Sequence, residues 1–326
     1  MINSQDIFNI GSEADFKSLA LEVFRLQFEA NPVYRSFCDL LYKHPSEVKE
    51  LHQIPFLPIG FFKSHKVVSQ NKSPEKIFTS SGTTGLATSK HYVTDLNLYE
   101  NSFMRCFSGF YGHPKEYVIL ALLPSYLERD GSSLIYMANR LIKDSGHPDS
   151  GFYLDNLSDL NGKIAQLDQN GQKVLLIGVS FALLDLVELG TLRLKNTIIM
   201  ETGGMKGRRK ELVRDELHDI LKQGFGVDSI HSEYGMTELL SQAYSKGNGI
   251  FECPAWMQVL SRDTEDPLHI HTAPKTGGLN VIDLANINSC AFIATQDLVK
   301  VYENGRFEVI GRFDNSDIRG CNLMVL

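Results

Sequence analysis

Ile77-Phe78-Thr79-Ser80-Ser81-Gly82-Thr83-Thr84-Gly85 is an apolar lead-in followed by an unbroken run of Ser, Thr and Gly. Ser80 to Gly85 carry nothing that a core could use. Glycines let the backbone turn and approach a ligand closely, while the N–H groups and hydroxyls can surround an anion. A polyphosphate suits such a run; a plain solvated loop is the alternative that composition leaves open. The run is not a Walker A loop, because no Gly-Lys-Ser/Thr closes it, and it is not a Gly-x-Gly-x-x-Gly dinucleotide turn.

Three more short motifs follow in order: Ser232-Glu233-Tyr234-Gly235-Met236-Thr237-Glu238, Thr295-Gln296-Asp297 and Gly311-Arg312-Phe313-Asp314. The Ser-Ser-Gly-Thr-Thr-Gly run resembles the phosphate loop of the adenylate-forming enzymes, the superfamily of acyl- and aryl-CoA synthetases, luciferases and peptide-synthetase adenylation domains. The other three are similar to its Tyr-Gly-x-Thr-Glu, Thr-x-Asp and Gly-Arg-x-Asp motifs, so the resemblance runs from Ile54 to the C-terminus. Within the superfamily, Ile54-Pro55-Phe56-Leu57-Pro58 with Phe61-Phe62-Lys63, and Arg319-Gly320-Cys321-Asn322-Leu323, resemble the acyl-protein synthetases of bacterial bioluminescence (LuxE-type).

Composition narrows the partners. A formal charge of -7, with no long Lys/Arg run, argues against a nucleic acid held on a basic surface. The longest apolar stretch, Val174 to Leu184, is well short of the ~20 residues of a membrane span. Met1-Ile2-Asn3-Ser4-Gln5-Asp6 lacks the basic and apolar regions of a signal peptide, so a cytoplasmic location is expected. The five cysteines, Cys38, Cys106, Cys253, Cys290 and Cys321, include no Cys-x-x-Cys pair, which indicates neither a disulfide framework nor a zinc site.

Along the chain, Ser12-Glu-Ala-Asp15 caps a helix whose apolar residues recur at helical spacing until Asn31-Pro32. Helices are expected over Tyr34 to Tyr42 and Ser46 to Leu51, then a buried extended segment around Ile54 to Pro58. After the Ser/Thr/Gly run, a helix over Asp95 to Phe107 leads into alternation. Expected strands are Tyr117 to Leu123, Phe152 to Leu154, Val174 to Val179, Thr197 to Met200 and Val227 to His231. Expected helices between them are Ser132 to Lys143, Leu157 to Leu167, Ala182 to Leu189 and Arg208 to Leu221. Such alternation means a largely parallel sheet covered on both faces, with ligands beyond the carboxyl ends of its strands. From Phe251 on, short strands dominate: Met257 to Leu260, Leu268 to Ile270, Leu279 to Leu284, Ala291 to Ala294, Val299 to Tyr302 and Phe307 to Ile310.

The fold class is therefore α/β. The resemblance makes it the large N-terminal domain of the adenylate-forming fold, with mostly parallel sheets, helices and a β-rich C-terminal part. Residues 1–75 form a helical segment of that domain, 76–250 the α/β core, and 251–326 the β-rich part ending in the hinge motif and a cysteine-bearing tail. Typical members continue past the hinge into a mobile lid with a catalytic lysine and the coenzyme A tunnel. This chain ends at Leu326, so the lid is expected to be absent.

The resemblance also implies roles. Ser80, Ser81, Gly82, Thr83, Thr84 and Gly85 wrap the β- and γ-phosphates of ATP. Tyr234, Gly235 and Met236 offer the adenine a flat face, Thr237 contacts the α-phosphate, and Glu238 helps hold Mg²⁺. Asp297 accepts the ribose hydroxyls and Arg312 reaches the ribose. Thr202-Gly203-Gly204-Met205 stands where the superfamily has a Gly-rich segment against adenine, a loose match that adds Gly203 and Gly204. Lys206 and His231 flank this region. Residue by residue, the bland readings are packing for Tyr234, a turn for Asp297, a surface ion pair for Arg312, a solvated Lys206 and a hydrogen-bonded structural His231. One departure is that the usual Gly-x-Pro-Lys ending of the phosphate loop is replaced by Gly85-Leu86-Ala87-Thr88, with the first lysine only at Lys90.

Cys321 stands where the acyl-protein synthetases carry their acyl group as a thioester, and Arg319 nearby would favour its thiolate. A buried cysteine acting as a small hydrophobe is the alternative. The implied activity is ATP- and Mg²⁺-dependent activation of a fatty acid to acyl-AMP. Transfer to Cys321 would follow, then hand-over to a partner acyl reductase or acyltransferase. An acyl- or aryl-CoA ligase of the phenylacetate-CoA ligase type, and a non-catalytic nucleotide-binding relic, remain open.

Overall fold

The computed structural model describes residues 2–69, 72–80, 88–123, 131–154, 156–203, 212–271 and 274–313. The chain divides into two units: Met1–Ser73 with Ala255–Leu326, and Pro74–Pro254.

The first unit begins with α1 (Ser4–Ile7), α2 (Glu13–Ala30) and α3 (Pro32–Leu40), followed by β1 (Leu57–Pro58) and α4 (Phe61–Ser64). Ser12 caps α2 as expected: its Oγ accepts the Asp15 N–H and donates to the Asp15 carboxylate. Phe16, Ala20, Val23, Phe24, Gln27 and Phe28 form the buried stripe of α2. Asn31 then ends α2 and caps α3, whose first residue, Pro32, needs no intrahelical partner for its nitrogen. No α-helix forms over Ser46 to Leu51; the chain makes a turn and one 3₁₀ turn at Leu51–Gln53, with the Gln53 side chain accepting the N–H groups of Lys49 and Glu50. Ile54, Phe56 and Leu57 are buried, in line with the packing reading of the proline-bounded segment.

The second unit starts with the antiparallel pair β2 (Lys76–Thr79) and β3 (Lys90–Val93), followed by α5 (Leu96–Tyr111). It continues with β4 (Val118–Leu122), α6 (Ser133–Ser145), β5 (Gly151–Phe152), α7 (Leu157–Gln169), β6 (Val174–Val179) and α8 (Ser180–Glu188). β7 (Thr197–Thr202), α9 (Arg214–Phe225), β8 (His231–Tyr234), β9 (Ala243–Ser245) and β10 (Ile250–Phe251) complete it. Its sheet runs β5-β4-β6-β7-β8-β9, parallel except for β9. β4 and β6 are buried at every residue, as strands covered on both faces must be.

The chain returns to the first unit as an antiparallel series, β11 (Met257–Arg262), β12 (Thr276–Asp283), β13 (Phe292–Val301) and β14 (Phe307–Arg312), with β1 parallel on β13. Gln27 of α2 stitches the two sequence segments together. Its amide donates to the carbonyls of Asn286 and Ile287 and accepts the Ala291 N–H.

Four strand expectations change. Leu268 to Ile270 contributes only an isolated bridge from Ile270 to Arg262, and Leu268 is exposed. Ala291 to Ala294 and Val299 to Tyr302 belong to one strand, β13, which runs through Thr295-Gln296-Asp297. The strand expected over Val227 to His231 is β8, which begins at His231 and carries Ser232 and Glu233 into a buried, parallel register with Glu201 and Thr202. Its polar character hid it from a hydrophobicity reading.

Candidate functional site

In the second unit the motifs emerge at one end of the sheet. β6 ends before Ser180, β7 before Gly203 and β8 before Gly235, so all three turns lie at the carboxyl ends of adjacent parallel strands. Ser180 Oγ donates to the Gly203 carbonyl at 2.6 Å, tying the first turn to the second. Gly203 has φ 69°, the left-handed region that glycine enters without strain. Thr202 Oγ1 donates to Glu233 Oε2 at 2.5 Å, tying β7 to β8 just below the Tyr234-Gly235 turn. A Cβ on Gly235 would stand 2.5 Å from Glu233 Oε1, so this carboxyl fills the space that any larger residue would need.

Burial, reinforced by the negative charge of Glu201 and opposed by the Thr202 hydrogen bond, pushes the Glu233 carboxyl up to about 7. Tyr234 packs edge-on against Phe251 at 5.9 Å, and the Arg214 guanidinium lies over Phe251 at 5.3 Å. Thr237 is half-buried and Glu238 is 5% exposed.

The Ser/Thr/Gly run is anchored between β2 and β3. Ser80 closes the anchor: its N–H donates to the Ser89 carbonyl and its Oγ accepts the Ser89 N–H. Ser81, Gly82, Thr83, Thr84 and Gly85 lie outside the described residues, as do Gly204, Lys206 and Cys321. His91, on β3 and fully buried, brings this hairpin to the other motif through Nδ1, 2.8 Å from the Thr237 carbonyl. A carbonyl oxygen only accepts, so Nδ1 carries the proton. His91, Thr202, Ser180 and Glu233 were not singled out as site residues from the sequence. The signal available for them was a polar side chain at the carboxyl end of an otherwise apolar strand, or directly after a Gly-rich run.

His231 belongs elsewhere. It opens β8, at the opposite end of the strand from Tyr234, where the Tyr111 hydroxyl lies 3.1 Å from its Nδ1. Burial, aided by the charge of Lys246, holds its imidazole down at about 4, so it is neutral at physiological pH. The hydrogen-bonded structural reading is the one the geometry favours.

In the first unit, Asp297 and Arg312 are direct cross-strand partners on β13 and β14, with Nε and Oδ1 3.6 Å apart. Asp297 is no turn residue; it lies within β13. Between Gly278↔Leu298 and Asn280↔Ala294, Leu279 of β12 faces the whole of Thr295-Gln296-Asp297. The motif is thus a bulge that frees these residues from the β12 ladder. Thr295 Oγ1 accepts the Asp297 N–H inside it, at 3.1 Å.

Among the described residues no cluster of three or more His, Cys, Asp or Glu side chains could hold a metal. A Mg²⁺ ion needs no such cluster, since this hard cation is commonly held by one carboxylate together with nucleotide phosphates.

Residues 7–96 match the family described as acyl-protein synthetase, LuxE. The match covers 90 of the 326 residues. It spans the Ile54-Pro55-Phe56-Leu57-Pro58 segment and the Ser/Thr/Gly run. A 2-hydroxyisobutyryl-CoA ligase in an open conformation, in complex with 2-HIB-AMP and CoA, is similar in structure with TM-score 0.67 at 13% identity, over 93% of this chain and 70% of that one. ATP-bound MatB from Rhodopseudomonas palustris matches with TM-score 0.53 at 18% identity, over 72% of this chain and 47% of that one. The fold is that of the adenylate-forming enzymes. No curated protein matches the sequence.

Proposed function

We propose that the chain activates a carboxylic acid, with a fatty acid as the expected class, by adenylation, and then carries the acyl group on Cys321. The observation that supports this most is the convergence of the Tyr234-to-Glu238 motif, the Gly203 turn and the anchor of the Ser/Thr/Gly run at the carboxyl ends of one sheet, joined by His91 and Thr202.

In the first step a carboxylate oxygen attacks the α-phosphorus of ATP, the bond to the β-phosphate oxygen breaks, and pyrophosphate leaves with that electron pair. The site must stabilise charge growing on phosphoryl oxygens. Backbone N–H groups and hydroxyls of Ser80 to Gly85 take the β- and γ-phosphates, Thr237 the α-phosphate, and the Tyr234-Gly235-Met236 turn the adenine. Gly203 and Gly204 let the backbone approach the base. Asp297 and Arg312 take the ribose. Mg²⁺, held by Glu238 with the phosphates, would supply further charge neutralisation.

In the second step the Cys321 thiolate attacks the acyl carbonyl carbon and AMP leaves, giving a thioester from which an acyl reductase or acyltransferase can take the group. Three of the other four cysteines, Cys38, Cys106 and Cys290, support this choice, being buried. Burial pushes the Cys38 thiol up to about 12 and that of Cys290 higher still, and Cys106 is buried with its thiol donating to the Gln242 carbonyl. Buried, protonated thiols are poor nucleophiles. A coenzyme A acceptor is the second reading, favoured by the likeness to a CoA ligase fold.

Carboxylate-dependent exchange of pyrophosphate into ATP tests the first step. Exchange is expected with a panel of fatty acids, falling about a hundredfold in Glu238→Gln and about tenfold in His91→Ala, whose loss leaves the half-buried Thr237 carbonyl without this donor. No exchange with any acid of the panel would contradict adenylation.

A further inference from the structure

The bulge at Thr295-Gln296-Asp297 has a cost. Strand residues released from a ladder leave carbonyls facing a gap, and buried carbonyls without donors are destabilising. Arg262, at the end of β11, fills that gap. One nitrogen of its guanidinium, Nη1, donates to the Leu279 carbonyl at 2.7 Å and to Asn280 Oδ1 at 2.9 Å. The other, Nη2, donates to the Thr295 carbonyl at 2.6 Å. Leu279 is the residue opposite the bulge and Thr295 is its first residue, so the fork replaces missing β12–β13 ladder bonds with two of its own.

β12 is shaped to admit it. Gly278 faces Arg262 across the ladder, and a Cβ there would stand 2.6 Å from Arg262 Cζ and 2.9 Å from Nε and Nη1. Gly277 is equally confined, by the backbone of Arg262 and the hydroxyl of Ser261. A Gly-Gly pair inside a strand marks such a close approach. On the other face, β14 holds the bulge through Asp297↔Arg312 pairing and a Phe313 N–H donated to the Gln296 carbonyl at 2.7 Å. Phe313 lies 5.9 Å from the guanidinium.

We propose that Arg262 is a positioning residue for nucleotide recognition: its guanidinium, seated on Gly278, holds the Thr295-to-Asp297 bulge open so that Asp297 is presented to the ribose. This rests on the reading of Asp297 as the ribose contact. Arg262 itself touches no nucleotide. A lysine at 262 keeps the charge without the planar fork, so it cannot serve both carbonyls in the same way.

The test is calorimetric titration of the full chain with ATP and with 2′-deoxy-ATP, in the presence of Mg²⁺. Wild type is expected to prefer ATP about tenfold, the worth of one hydroxyl donated to a carboxylate, and Asp297→Asn to lose most of that preference. Arg262→Gln and Arg262→Lys are expected to bring the two nucleotides to within about twofold of each other while remaining folded by circular dichroism. Gly278→Ala, which displaces the intact guanidinium, should do the same in wild type and add nothing in the Arg262→Gln background. Preference retained in Arg262→Gln and Gly278→Ala, but lost in Asp297→Asn, overturns the positioning role and leaves the ribose reading standing. A wild type that does not distinguish the nucleotides overturns the ribose reading and this proposal with it. Should Arg262→Gln unfold, the lysine and alanine variants decide by the same ratio.

Discussion

Glu233 is 9% exposed, lies beside Glu201 and has a carboxyl raised from the ordinary 4.5 to about 7. A raised acid keeps its proton in the folded state at pH values where the unfolded chain has released it. The contribution of Glu233 to stability is therefore fullest below about pH 4.5, falls as pH rises toward 7, and is level above that. At 1.36 kcal/mol per pH unit the loss amounts to about 3 kcal/mol. Glu233→Gln keeps the shape, keeps an oxygen for the Thr202 hydroxyl and cannot ionise. Its Tm is expected to exceed that of wild type by roughly 6 °C at pH 8 and to approach it at pH 5. Thermal unfolding at the two pH values checks this, and a variant less stable than wild type at both would show that the ionised carboxylate is the native form. The same residue shows what a sequence withholds: between Ser232 and Tyr234 a glutamate looks solvated, and only the neighbouring end of β7 reveals that it is buried.

At the scale of the elements, β7 is held at both ends by different chemistry. At its start, the Asp168 carboxylate at the end of α7 accepts the N–H groups of Lys195 and Asn196 and the Thr197 hydroxyl, while being only 5% exposed. Asp168→Ala leaves these donors without their acceptor and is expected to destabilise by about 3 kcal/mol. The candidate site lies at the other end of the strand, so ATP affinity of the folded protein should stay unchanged. Urea unfolding and ATP titration of the same variant separate the two effects, and a large loss of affinity would place Asp168 in the binding machinery. Legibility followed the same division. The bounds of β6, Val174–Val179, were readable because burial on both faces demands a continuous apolar run. The start of β8 was set four residues and its end three residues too early because the strand is polar. The Asp297 bulge was unreadable because its geometry belongs to the pairing of β12 with β13, although Gly277-Gly278 carried a signal of close approach.

For the whole molecule, the first unit is built from both ends of the chain. Gln27, Asn31 and Tyr34 meet the segment from Asn286 to Phe292 through hydrogen bonds to Asn286, Ile287, Ser289 and Ala291 and a stacked ring contact with Phe292. No local pattern announces pairings across that sequence distance. The motif order, by contrast, was legible, because each motif is a short local run of residues that needs no distant partner to be recognised. None of the helices among the described residues is long and apolar enough to cross a membrane. In the proposed function one chain both activates an acid and carries it. Intact-mass spectrometry after incubation with ATP, Mg²⁺ and a mixture of fatty acids, with and without coenzyme A, tests it most directly. A mass increase equal to one acyl group, removed by hydroxylamine, mapping to Cys321 and absent from Cys321→Ser, is expected. An unchanged protein mass while acyl-CoA accumulates would contradict it and make coenzyme A the acceptor.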